Sequence, residues 1–352
     1  MVAAWTGRVV GAGVAVPAVL PQDRLWDDFF AEHYAGSELA RRVWTNSGVA
    51  TRNGVVDPRV EDVSGWSTGA RMRRFVEEAM PLGKEALALC LDDAGIDPRD
   101  VDQLTVVSCT GYATPGLDIL LARDLGMRSD VQRLHVGHMG CYAALPGLAT
   151  VADAAAARGK VGLLLCLELT SLHIQPPSAD REQMVAHSLF SDAAAAVAVL
   201  PSPAPGLEVV DLVARTDVTG SALMTWDVTD LGFRMGLSSK VPRVLREHVA
   251  EVVAELLDAH GLRVPDVAGW VVHPGGPRII DVVADRLGLD SSRVADSRAV
   301  LREHGNCSSA TVLIILSRLL AAGTLEAGDP VVCLAFGPGL TLYATLLRAA
   351  PG

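Results

Sequence analysis

The chain of 352 residues is long enough for two ordinary domains or one large two-lobed unit. Half of its residues are hydrophobic, which implies extensive buried sheet and helix, some of it in a subunit interface. A net charge of −11 argues against a nucleic-acid partner, and no apolar run approaches the ~20 residues that membrane insertion requires.

The opening Met1-Val2-Ala3-Ala4-Trp5-Thr6-Gly7-Arg8 leads into a strand-like stretch and does not have the form of a signal peptide. The six cysteines are scattered and form no CxxC pair. They read as reduced cytoplasmic thiols, with neither a disulfide framework nor a cysteine zinc site. Further along, a helix is expected over 80–94, a strand over 104–109, a helix over 142–158 and strands over 161–167 and 193–200. Pro201-Ser202-Pro203-Ala204-Pro205-Gly206 breaks any element and divides the chain into halves at 1–200 and 207–352. The second half continues with a helix over 241–260, a strand over 268–272, a helix over 309–322 and a strand over 331–336. Continuous apolar strands between helices are the α/β pattern, with sheets covered on both faces. Each half has a helix of small residues followed by a strand, which suggests duplicated lobes with a site between them.

Three segments carry chemistry. In His138-Met139-Gly140-Cys141-Tyr142-Ala143-Ala144 a glycine ends an extended stretch and an alanine-rich helix follows. A thiol there meets the positive end of the helix dipole, which favours the thiolate that attacks acyl carbons. His273 stands at a strand end, before the tight turn Pro274-Gly275-Gly276-Pro277, and imidazole is the usual proton acceptor near pH 7. Asn306, in Gly305-Asn306-Cys307-Ser308-Ser309, precedes a helix, and its amide can donate to a developing oxyanion. An uncharged donor suits decarboxylation, because no salt bridge then locks the carboxylate in place. Arg41, Arg42 and Arg52, with Arg278 from far along the chain, can form a basic mouth for coenzyme A.

Together with Leu189-Phe190-Ser191-Asp192 and Phe336-Gly337-Pro338-Gly339-Leu340-Thr341, these segments resemble the type III polyketide synthases, the chalcone synthase-like enzymes, in their bacterial form. The likeness runs in the same order from about Val9 to Leu347. It implies a thiolase-like fold of five layers (αβαβα), a homodimer, and iterative condensation of malonyl-CoA onto an acyl-CoA starter. Coenzyme A thioesters are then substrates, and no other cofactor or metal is implied. By motif, Cys141 is the nucleophile, and His273 and Asn306 bind the malonyl thioester during loss of CO₂. Phe190 matches a gatekeeping phenylalanine, and Met235 falls where a second one is usual. Cys109, His173, Trp226 and Ser308 fall on cavity-wall positions, with Trp226 and His173 bulkier than usual. Thr114 matches a residue that crosses into the partner's cavity. Arg42 and Arg278 fall at the coenzyme A tunnel. Ala335 and Tyr343 depart from the family's glycine and glutamate, and starter, number of extensions and cyclisation route stay open. The rivals are a ketoacyl-ACP synthase III-like enzyme, a non-decarboxylating acyltransferase and a non-catalytic scaffolding homologue.

Overall fold

In the computed structural model, residues 6–351 are described. The opening stretch Met1–Trp5, read above as leading into a strand, lies outside them.

The first half contributes β1 (Gly7–Ala15), helix α1 (Thr68–Ala94), β2 (Gln103–Val107), α2 (Leu117–Asp124), β3 (Gln132–Val136), α3 (Ala144–Arg158), β4 (Gly162–Leu169), α4 (Arg181–Leu189) and β5 (Asp192–Pro201). The second contributes β6 (Gly206–Thr216), the hairpin β7 (Met224–Thr229) and β8 (Gly232–Leu237), α5 (Val241–Asp258), β9 (Gly269–Val272), α6 (Pro277–Leu287), α7 (Ala310–Ala322), β10 (Pro330–Gly337) and β11 (Thr341–Ala350). The main sheet runs β9-β10-β11-β6-β1-β5-β4-β2-β3. Its halves meet at a narrow join, where Arg8 and Val9 of β1 pair with Glu208 and Leu207 of β6.

Duplication is explicit in the pairing. From β1 outward, β5 and β4 follow antiparallel and β2 parallel; from β6 outward, β11 and β10 follow antiparallel and β9 parallel. β3 has no counterpart in the second half among the described residues.

Strand alternation builds the layers. In β4, Leu163, Leu165 and Leu167 face α1 and α2, whereas Leu164 and Cys166 face the centre. In β10, Val331 and Cys333 face the centre, and Val332 and Leu334 face α5 and α6. The centre is α3 beside α7, one helix from each half, with Leu145, Leu148 and Val151 in the same apolar cluster as Val312, Leu313 and Ile315. The result is the five-layer αβαβα arrangement, and the shared central layer makes each half's core depend on the other. Among the described residues no helix is long and apolar enough to cross a membrane.

One helix is far longer than the expected 80–94. α1 begins at Thr68, capped by Ser67 accepting from the Ala70 N–H, and runs through Pro81. Its charged first turns conceal a buried stripe of Arg71, Phe75, Ala79, Leu82 and Ala86. Arg71 is fully buried, with its guanidinium donating to the Ser64, Trp66, Leu172 and Ile174 carbonyls. A charged side chain therefore occupies a position that patterning reads as solvent-facing.

Candidate active site

Cys141 sits in a single 3-10 turn, Gly140–Tyr142, that feeds α3. Gly140 has φ +73°, and a Cβ there would lie 2.7 Å from Pro338 Cδ, so only glycine lets the thiol approach the Phe336–Gly339 turn. His273 leaves the end of β9, anchored by its N–H donating to Leu334 O at 2.8 Å. Asn306 precedes α7. Its side-chain Oδ1 accepts from the Ser308 N–H at 2.9 Å, which leaves the NH₂ of the same amide as the free donor. Ser308 is held at φ +48°, a strained value for a non-glycine residue.

These three side chains line one cavity of about 360 Å³, together with Phe190, Met235, Phe336 and Arg278. The Cys141 thiol donates to Ser308 Oγ at 3.6 Å. The His273 ring is fully buried, lies edge-on to Phe336 with centroids 5.8 Å apart, and neither ring nitrogen has a hydrogen-bond partner. A buried polar atom left without a partner costs about 1–3 kcal/mol, so the fold sustains an imidazole free to accept or donate within the cavity.

The electrostatics correct one expectation. Burial pushes the Cys141 thiol up to about 12, against the opposing pull of its Ser308 hydrogen bond, and pushes His273 down to about 3. A helix terminus worth under ~1 kcal/mol does not offset such desolvation. The thiol is thus not ionised by its helix alone. Any thiolate formed here must overcome that desolvation, and His273 is the imidazole that shares the cavity with the thiol among the described residues.

Behind this cavity lies an inner compartment of about 20 Å³, walled by Cys109, Ser308, Trp226, Phe190, Met235 and Cys141. That is room for about one water. A third compartment, about 50 Å³, lies beyond Trp226 and includes His173, Phe233, Leu25 and Phe30 in its wall. Trp226, on β7, donates from Nε1 to Cys109 O at 2.7 Å. His173 stacks on Phe233 at 4.7 Å, accepts the Phe233 N–H at Nδ1 and donates from Nε2 to Thr110 O. Burial drives His173 down to about 4, so it is a neutral, fully bonded wall of the third compartment and does not reach the space beside Cys141.

Burial, and then Glu168, raise the Cys109 thiol well above the ordinary thiol range. Glu168 is itself completely buried in β4, accepting from Thr110 Oγ1 at 2.8 Å, Ser309 Oγ at 2.6 Å and the Cys109 N–H at 3.0 Å. It ties the Cys109 loop to the Ser309 end of α7, and burial raises its carboxyl. Sequence reading passed over it, although a lone glutamate within Gly162-Leu163-Leu164-Leu165-Cys166-Leu167-Glu168-Leu169 was a visible signal.

Of the basic mouth, Arg278 lines the cavity and is exposed, as are Arg41 and Arg42 on the nearby helix Glu38–Thr45. Arg42 itself does not line the cavity, but Val43, Asn46 and Ser47 beside it do. Arg52 does not belong to this mouth: it is 7% exposed, its fork turned inward onto Gln22 and backbone carbonyls. Thr114 lies on an exposed loop, its hydroxyl donating to Tyr112 OH at 3.3 Å, and lines none of the three compartments. Ala335 is fully buried in β10, and Tyr343 stacks on Tyr142 at 5.2 Å, just behind the nucleophile turn.

A thiol, an unpartnered imidazole and an amide donor, brought to one cavity by equivalent halves, define a thiolase-like condensing enzyme. Comparison with known proteins narrows the class. Residues 6–203 match the N-terminal domain of chalcone and stilbene synthases and residues 214–351 the C-terminal domain. The chain belongs to this family, the type III polyketide synthases. It is 34% identical to a 3,5-dihydroxyphenylacetyl-CoA synthase of Streptomyces toyocaensis, over 97% of this chain and 90% of that protein. It is 33% identical to a 1,3,6,8-tetrahydroxynaphthalene synthase of Streptomyces peucetius subsp. caesius, over 97% and 94%. The crystal structure of 1,3,6,8-tetrahydroxynaphthalene synthase from Streptomyces coelicolor A3(2) superposes with a TM-score of 0.92 at 28% identity, covering 98% of this chain and all of that one. The carrier-protein-dependent, non-decarboxylating and scaffolding alternatives give way to this reading.

Proposed function

We propose that this polyketide synthase extends a compact acyl-CoA starter with malonyl-CoA, using Cys141, His273 and Asn306. In the first step Cys141 passes its proton to His273 and attacks the starter thioester, and the coenzyme A thiolate leaves with a proton. Malonyl-CoA then occupies the 360 Å³ cavity, its thioester oxygen accepting hydrogen bonds from His273 and the Asn306 NH₂. The bond to the carboxylate breaks, CO₂ leaves, and the electron pair becomes an enolate held by those donors. The enolate carbon attacks the acyl-Cys141 carbonyl, forming the new carbon–carbon bond and expelling the Cys141 thiolate. Transfer of the extended chain back to Cys141 starts the next round, and cyclisation to an aromatic or pyrone product ends it.

The observation that carries this reading is the buried His273 ring, which lines the same cavity as the buried Cys141 thiol and has no hydrogen-bond partner on either nitrogen. The one-water size of the inner compartment favours a starter of acetyl or malonyl size. Arg278, exposed at the cavity edge, is the residue best placed to meet coenzyme A phosphate, with Arg42 nearby. No cofactor beyond the thioesters is required, since the departing CO₂ supplies the carbanion. We infer a homodimer in the cytoplasm, with the exposed Thr114 loop at the subunit contact.

The test is incubation with malonyl-CoA and a series of acyl-CoA starters, reading CO₂ release and product mass. Cys141→Ala is expected to lose chain extension and keep measurable malonyl-CoA decarboxylation. Full product yield from that variant overturns the covalent scheme, and absence of CO₂ release by the unaltered enzyme overturns malonyl-CoA as extender.

A further inference from the structure

The last four carbonyls of any helix lack partners within the helix. At the end of α4 each one is claimed, and three of the four claimants come from distant parts of the chain. Ala186 O takes the Phe190 N–H at 3.0 Å, and Leu189 O takes the Asn306 N–H at 2.8 Å. His187 O takes Arg52 Nη1 at 2.6 Å, and Ser188 O takes Gln22 Nε2 at 2.9 Å. Arg52 Nη1 also donates to Phe190 O at 3.0 Å, and its Nε and Nη2 both donate to Gln22 Oε1, at 2.8 and 2.5 Å. The guanidinium lies over the Trp44 ring, 4.8 Å from its centroid, and Trp44 Nε1 donates to Gln22 O. No carboxylate is in ion-pair contact with Arg52 among the described residues.

A buried cation without a counter-ion is costly unless its donors are well used. Here the negative end of the α4 dipole and a run of carbonyls replace the missing carboxylate. The consequence falls on the cavity. Phe190 is the residue that caps α4, and the backbone at Phe190 is bridged to Asn306, with the Ser191 N–H donating to Asn306 O at 3.0 Å. One guanidinium–amide clasp therefore fixes the backbone from which both the Phe190 ring and the Asn306 amide reach the cavity.

We propose that Arg52, seated by Gln22, is a positioning residue: it sets the placement of the Phe190 ring across the approach to Cys141. The proposal deepens the reading of this cavity as the condensing site and rests on it for its catalytic meaning. Lysine keeps the charge of Arg52 but cannot span His187 O, Phe190 O and Gln22 Oε1 with a planar fork.

The test is a double-variant cycle read by alkylation of Cys141. Rates of iodoacetamide modification, measured at the Cys141 peptide by mass spectrometry, are compared for the unaltered protein, Arg52→Lys, Phe190→Ala and the double variant. Arg52→Lys is expected to change the rate about fivefold or more, and to change it less than twofold when Phe190 is already alanine. A side chain that only stabilises the fold would give the same factor in both backgrounds, and that result overturns the proposal. So does an unchanged rate in a folded Arg52→Lys protein. If Arg52→Lys does not fold, Gln22→Met, which removes only the acceptor that seats the guanidinium, is carried through the same cycle with the same criteria. This readout needs no substrate, so it stands even if the malonyl-CoA assay fails. With turnover in hand, Arg52→Lys should also lower the ratio of product formed to CO₂ released, by several-fold.

Discussion

Replacing Trp226 with alanine removes the wall between the inner compartment and the one beyond it. Its ring stands edge-on to His173 and Phe233, at 5.5 and 6.0 Å, and its indole N–H is bonded to Cys109 O. Losing that bond and the half-buried ring should cost about 3 kcal/mol of stability, short of unfolding a chain of this size. In exchange, spaces of about 20 and 50 Å³ merge with the volume of the ring. Each buried CH₂ is worth about 0.8 kcal/mol, so a starter two carbons longer gains about 1.6 kcal/mol, or more than tenfold in relative kcat/KM. Competition among acyl-CoA starters of increasing length, with products read by mass spectrometry, measures the shift. A folded Trp226→Ala enzyme with unchanged starter ranking and product masses would refute the partition argument.

His273→Ala removes the only imidazole, among the described residues, that lines the cavity of a thiol that burial pushes up to about 12. Its Cys141 alkylation at pH 7 should fall at least about 100-fold and climb roughly tenfold per pH unit up to pH 10; an unaltered rate at pH 7 would remove His273 from the ionisation step. His173 should make the fold acid-sensitive. Its ring stays neutral to about pH 4 when folded but protonates near 6.5 when unfolded, so its contribution is complete above 6.5 and is lost as pH falls toward 4. The loss is about 1.4 kcal/mol per pH unit, or about 3 kcal/mol in all. In His173→Gln, an amide that can still accept and donate, denaturant midpoints at pH 7, 6 and 5 should show a slope shallower by about one proton; an unchanged slope would refute this.

Much of the fold was readable in the chain because burial on both faces leaves long apolar runs. Strand β4 and helix α7 fall within two residues of where their Leu- and Ile-rich stretches place them. Elements with mixed faces were harder. The first three turns of α1 look solvated until Arg71 is seen bonded to four carbonyls, and the β7–β8 hairpin carries charges on its open face. In the site, the segments around Cys141, His273 and Asn306 announced themselves by glycine and proline turns at strand and helix ends. Arg52 misled for a physical reason: an arginine that follows Arg41 and Arg42 within one short segment is turned inward by Gln22 and the carbonyls at the end of α4.

By itself the sequence determined the α/β class and pointed to the duplication and to the candidate residues for acyl chemistry, because periodicity and local turn chemistry are properties of short segments. Tertiary structure alone decided the burial that raises the Cys141 thiol and lowers the His273 imidazole, the one-water inner space behind Trp226, and the inward turn of Arg52. Each depends on desolvation or on groups more than a hundred residues apart, and neither is encoded in any local stretch of chain.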